Sequence, residues 1–129
     1  MQYLLLLYEM VQDLNESEIR EIIQGHKELT RSITKSGKYR GSNALEPAST
    51  ATTVRIRDGK TLTIDGPFAE TREQLGGYYL VEADHLDDAI SIAARIPSAK
   101  HGSVEIRPVN MGIRAEFESE ELIPPEARR

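Results

Sequence analysis

The sequence predicts an α+β fold in which two helices cover one face of a small antiparallel sheet. Three observations carry that expectation. Tyr3-Leu-Leu-Leu-Leu-Tyr8 and Tyr78-Tyr-Leu-Val81 are apolar on both faces of a period-2 strand, so both belong in the interior of a sheet. Residues 16–35 place apolar side chains at helical spacing behind an Asn15/Glu18 capping box. Asp58-Gly59 separates two alternating runs, the strongest short hairpin signal.

The N-terminal strand comes first. The helix after it, from about Glu16 to Lys35, has Leu14 and Ile19 placed for a hydrophobic staple. Its inward stripe reads Ile19, Ile22, Ile23, His26, Leu29 (or Thr30) and Ile33, and Gly37 stops it. Lys38 to Leu45 is a weaker strand, closed by Glu46-Pro47. Thr52–Arg57 and Thr61–Ile64 form the hairpin, and a loop from Asp65 leads into the strand Gly77 to Ala83. A second helix follows from about His85 to Arg95, with Asp84 as its N-cap and Leu86, Ala89, Ile90 and Ala93 facing inward. Pro97 closes it. Ser103 to Pro108 alternates Val104 and Ile106 against Glu105 and Arg107, the pattern of a half-exposed edge strand.

That order is the ferredoxin-like βαββαβ unit with one inserted β-hairpin. Two helices cover only one face of such a sheet. The apolar residues on the other face call for a homodimer, a dimeric α/β barrel-like assembly. Residues 1–112 make one domain and residues 113–129 a C-terminal arm, irregular from Glu116 onward, with an acidic cluster at Glu118–Glu121 and Pro124-Pro125.

Composition removes several function classes. The chain of 129 residues has 16 Lys+Arg against 21 Asp+Glu, a net charge of −5. An acidic balance does not suit a nucleic acid or an anionic membrane surface, both of which need a basic field. With no cysteine there is no disulfide, thiolate nucleophile or Cys-ligated zinc. The apolar run ending at Tyr8-Glu9 is too short for a signal sequence or a membrane span, so a cytoplasmic location is expected.

The chemistry concentrates around Asp65-Gly-Pro-Phe-Ala-Glu-Thr71. Asp, Gly and Pro are turn formers, but Phe68 adds a large ring and Arg72 a guanidinium. Both a tight turn and a functional loop satisfy that composition. His26, on the apolar stripe of the first helix, is either a packing residue or a general base. His85 and His101 read as solvated, and the three histidines lack metal-ligand spacing. Arg55 and Arg57 share a face of the hairpin with Thr53, as a solvated or dimer-facing stripe or as a carboxylate clamp.

Asp65-Gly-Pro-Phe-Ala-Glu-Thr followed by Gln74-Leu-Gly-Gly-Tyr-Tyr-Leu-Val-Glu-Ala resembles the DGPF branch of the YCII-related domain family. Tyr3-Leu-Leu-Leu-Leu-Tyr, Ala51-Thr-Thr-Val-Arg and Val104-Glu-Ile-Arg-Pro-Val extend the resemblance to about residue 109. It implies the fold and dimer already reached, and an activity that uses a His/Asp pair in the YciI-like members. His26 falls on their histidine. Ile96, before Pro97, stands where their aspartate would be, which leaves Asp65 as the replacement that the motif supplies. The site expected is therefore His26 and Asp65 as the catalytic pair, with Phe68, Arg72 and Tyr79 binding a small anionic ligand and no cofactor or metal. The alternative that the resemblance implies is a noncatalytic regulatory module associated with an extracytoplasmic-function sigma factor.

Overall fold

The computed structural model describes residues 1–10 and 12–119. Strand β1 (Gln2–Met10) is followed by helix α1 (Glu16–Lys35) and strand β2 (Tyr39–Ala44). A single 3₁₀ turn at Ala48–Thr50 leads to the ribbon β3 (Thr52–Arg57) and β4 (Lys60–Asp65). Then come β5 (Glu73–Glu82), α2 (Leu86–Ala93), the short α3 (Ser98–His101), β6 (Gly102–Pro108) and α4 (Met111–Ser119).

The main sheet has the order β2-β5-β1-β6, with every neighbouring pair antiparallel. Without the ribbon, the first and third strands of the βαββαβ unit lie in the middle, as expected of a ferredoxin-like sheet. The β3–β4 ribbon forms a separate two-stranded sheet, turning through Asp58 and Gly59 at φ of 52° and 73°.

Pairing register sorts the side chains. Leu5 lies opposite Tyr79 on one side and Ile106 on the other, and Tyr3 opposite Val81. Tyr3, Leu5, Tyr79 and Val81 form the core with Leu7, Leu29, Ile33, Ala89, Ile92 and Ile96, and Ile106 packs against it. Leu4, Leu6, Tyr78 and Leu80 point to the opposite face and are only half-buried.

Local signals set α1. Asn15 accepts from the Glu18 amide at 2.8 Å while the Glu18 carboxylate accepts from the Asn15 amide at 3.2 Å, a complete capping box. Lys38 N–H to Ile33 O and Gly37 N–H to Thr34 O close its C-terminus in a Schellman arrangement. Its inward stripe is deepest at the C-terminal end: Leu29 and Ile33 are buried, whereas Ile19 and Ile23 remain exposed.

Four expectations need correction. The N-cap of α2 is His85 rather than Asp84, and the buried face of the helix runs through Ala89, Ile92 and Ala93 toward Ile96. Leu86 and Ile90, expected inside, are exposed because the helix rolls toward the Ala89 side. Strand β5 starts at Glu73, four residues earlier than its apolar run suggests, because pairing with β1 extends it. Residues 113–119 of the expected C-terminal arm are helical, as part of α4. Asn110 Oδ1 accepts from Ile113 N–H at 3.0 Å, and Arg114 and Glu118 pair at 3.2 Å one turn apart. The rest of the acidic cluster and Pro124-Pro125 lie outside the described residues. Among the described residues, no helix is long and apolar enough to cross a membrane.

Candidate functional site

Small residues open a space beneath α1. Gly76, Gly77, Ser42 and Ala44 occupy positions in β5 and β2 that larger side chains would fill, and α1 arches over them with Ile22, His26 and Thr30. These three lie at i, i+4 and i+8, one line along the helix. The resulting cavity measures about 730 Å³. Leu7, Ile22, Ile23 and the ring of Tyr79 make its wall mainly apolar, while Lys27 and Arg31 bring two exposed cations to it.

Two backbone features fix the floor. The register of β1 against β5 shifts between Leu7 and Tyr8, leaving Gly76 as an extra residue, a bulge that re-aims the strand beside the cavity. Gly77 lies so close to β2 that an added Cβ would stand 2.8 Å from Asn43 O. Only glycine permits that approach.

His26 is the titratable centre. Its Nδ1 is 2.6 Å from the Tyr79 hydroxyl, and the two rings stack with centroids 5.8 Å apart and planes 13° apart. Burial lowers the His26 pKa from its ordinary value, and the Glu9 carboxylate at the end of β1 partly opposes that by raising it. The imidazole is therefore neutral at neutral pH, with Nε2 as its second nitrogen. Tyr79 is 3% exposed. Burial raises its pKa, so it remains a phenol. Ser98 Oγ donates to the Glu9 carboxylate and holds it in place.

The expected site residues divide. His26 and Tyr79 meet in the cavity. Asp65 does not join them: it is exposed, ends β4 opposite Thr52, does not line this cavity, and is not among the charges that act on His26. The ribbon that carries it is not hydrogen-bonded into the main sheet, which separates the motif from α1. Phe68 is 76% exposed, with the Arg55 guanidinium 5.1 Å above its ring. It does not line the cavity beneath α1, where it was expected to bind a ligand. Arg72 lines a separate depression with Tyr8, Glu73 and Glu105.

The carboxylate that acts on His26 is Glu9, which the sequence reading missed. The signal was present: Tyr3, Leu5, Leu7 and Glu9 alternate onto one face, so an acid ends the buried row. Thr30, one turn beyond His26, was read only as an alternative to Leu29 for packing. Among the described residues, no group of three or more His, Asp or Glu side chains is arranged to hold a metal.

The YCII-related domain profile matches residues 1–112. The chain belongs to the YCII-related domain family. Within 97 aligned residues it is 35% identical to an uncharacterized protein of Rhizobium meliloti (strain 1021), covering 74% of this chain and 78% of that one. Among solved structures, it is similar to the 5-chloro-2-hydroxyhydroquinone dehydrochlorinase of Burkholderia phenoliruptrix in complex with 2,5-dihydroxybenzoquinone. That match has a TM-score of 0.46 and 11% identity, covering 85% of this chain and 94% of the other. A likeness at that level decides nothing about what this YCII-related domain does.

Proposed function

We propose that this YCII-related domain is a cytoplasmic, cofactor-free general acid–base catalyst, or a binder, for a small carboxylate ligand held in the cavity beneath α1. One observation carries the reading: a neutral, half-buried imidazole lines a mainly apolar cavity, with its Nδ1 tied 2.6 Å from a buried phenol. Nε2 is then the nitrogen that exchanges a proton with the ligand, while Tyr79 holds the ring. Lys27 and Arg31 supply the positive charge that a carboxylate requires. An apolar enclosure with a few convergent polar groups is the usual make-up of a small-ligand site. Asp65, Phe68 and Arg72 have no role in this reading of a single chain. Two copies associate in it through the open sheet face at Leu4, Leu6, Tyr78 and Leu80. A stable monomer at micromolar concentration in sedimentation would contradict that part.

The test is proton exchange. A panel of carboxylates bearing acidic C–H bonds, incubated in deuterated water, should include one that exchanges with the parent. His26→Gln should slow that exchange by about 10²–10⁴-fold. Absence of both exchange and any saturable shift of the His26 and Tyr79 resonances across the panel would contradict the reading.

A second reading takes the chain as a noncatalytic module that binds a protein such as an extracytoplasmic-function sigma factor. It is favoured by the ribbon and its loop, where Val54, Ile56, Leu62, Ile64 and Phe68 are all exposed. In that case Val54→Asp with Ile56→Asp abolishes association with the purified factor and leaves the cavity resonances unchanged.

A further inference from the structure

We infer that Glu9 contacts the ligand, and that the carboxylate held in this cavity carries a hydrogen-bond donor, a hydroxyl or an ammonium, at its far end. The inference rests on the reading of the cavity as a carboxylate site and names the other half of the ligand.

The two oxygens of Glu9 differ. Oε1 accepts from Ser98 Oγ, and Ser98 is 2% exposed, so a buried bond fixes the carboxylate from the side of α3. Among the described residues, Oε2 has no such donor. It faces Gly76 on the neighbouring strand, where an added Cβ would stand 3.7 Å from Oε2 and 3.9 Å from Cδ. Gly76 is the extra residue of the bulge and lines the cavity, so its missing side chain keeps the space beside Oε2 open. A carboxylate oxygen can only accept, and in a half-buried, mainly apolar wall it gains from a donor that water supplies poorly. A ligand that brings the donor satisfies it.

Position along α1 separates this acceptor from the cations. Glu9 and Ile22 also line a second cavity with Glu18, Ser98 and His101, so Glu9 stands at the Ile22 end of the first. Lys27 lies about 7 Å further along the helix axis than Ile22, and Arg31 about 13 Å. A ligand whose carboxylate reaches Lys27 and Arg31 therefore turns its opposite end to Glu9. A second carboxylate at that end would meet a like charge, whereas a hydroxyl or ammonium meets an acceptor. His26, between Ile22 and Lys27 on the helix, faces the middle of such a ligand.

The test is the affinity of the full chain for three benzoates of nearly one shape: para-ethylbenzoate, para-(hydroxymethyl)benzoate and para-(aminomethyl)benzoate. Saturable shifts of the His26 and Tyr79 resonances give the values. The parent is expected to bind at least one of the donor-bearing compounds about tenfold tighter than the ethyl compound, and which one distinguishes a neutral donor from a charged one. Glu9→Gln keeps an oxygen for Ser98 and loses the charge, so the advantage should shrink to about threefold or less. The same variant should bind the ethyl compound at least as tightly as the parent does. Gly76→Ala needs no positive φ, and its methyl fills the space beside Oε2 with the Glu9 charge in place. It should erase the advantage too, and it carries the test if Glu9→Gln does not fold. Equal affinity of the parent for all three compounds, or an advantage that survives both variants, would overturn the inference and leave the carboxylate cavity standing. No saturable shift with any of them would overturn both.

Discussion

Replacing Tyr79 by Phe removes one oxygen and leaves His26 Nδ1 short of a partner. The ring stays stacked on His26, since the 5.8 Å centroid separation needs no hydroxyl. His26 Nδ1 loses its 2.6 Å partner. A net hydrogen bond contributes about 0.5–1.5 kcal/mol. In a domain of this size, about 1 kcal/mol lowers the melting temperature by roughly 3–5 °C. The charged imidazole loses more than the neutral one, because a bond to an ion is worth about twice a neutral bond. The His26 pKa should therefore fall further below its ordinary value. Tyr78→Phe is the control. Its hydroxyl accepts from Asn43 Nδ2 at 2.8 Å in a more exposed setting, so the expected cost is about 0.5 kcal/mol or less. Thermal melts and an NMR titration of His26 in the three proteins decide the matter. A Tyr79→Phe variant as stable as Tyr78→Phe, with the parent pKa at His26, would refute the argument that the hydroxyl is a working partner.

Two further substitutions test the backbone around the site and the motif loop. Gly77→Ala forces a Cβ to 2.8 Å from Asn43 O, so β2 must shift, at a cost of about 1–3 kcal/mol in urea unfolding. The same shift disturbs Ser42 and Ala44 in the cavity floor, and any ligand affinity should fall with it. Gly66 has φ of 105°, with open space where a Cβ would stand, so Gly66→Ala should cost about 1 kcal/mol through backbone strain alone. An alanine variant with the parent's stability would show that the turn relaxes.

What was legible in the sequence was local. The capping box of α1, the Asp58-Gly59 hairpin and the doubly apolar strands β1 and β5 each depend on residues within a few positions of one another, and each formed where it was read, with β5 extended back to Glu73. The face of α2 was harder, because Leu86-Ile90 and Ala89-Ile92-Ala93 both satisfy helical spacing over two turns. Contact with the sheet chose the second. The site failed in a similar way. Asp65 stands in the most distinctive motif of the chain, yet it sits on a ribbon outside the main sheet. Glu9 stands in no motif. It reaches the cavity because β1 lies next to β5 and the row of Tyr3, Leu5 and Leu7 continues to it. Which strands become neighbours is a property of the whole fold, and no short stretch of sequence states it.

The central claim is that His26 is a neutral base governed by burial, Tyr79 and Glu9. Its most direct test is the pH titration of His26 in the parent, Glu9→Gln and Asp65→Asn. Burial is the larger influence, so the parent pKa should lie below the ordinary value of 6.5. Glu9→Gln keeps an acceptor for Ser98 and removes the charge that raises the pKa, so it should move the value lower still. Asp65→Asn should leave it unchanged. Stability follows the same sign. The unfolded chain binds the proton more readily, so the contribution of His26 is full above its unfolded pKa and declines as the pH falls through the folded one. A parent pKa above 6.5, or a value that moves with Asp65→Asn and not with Glu9→Gln, would contradict the account.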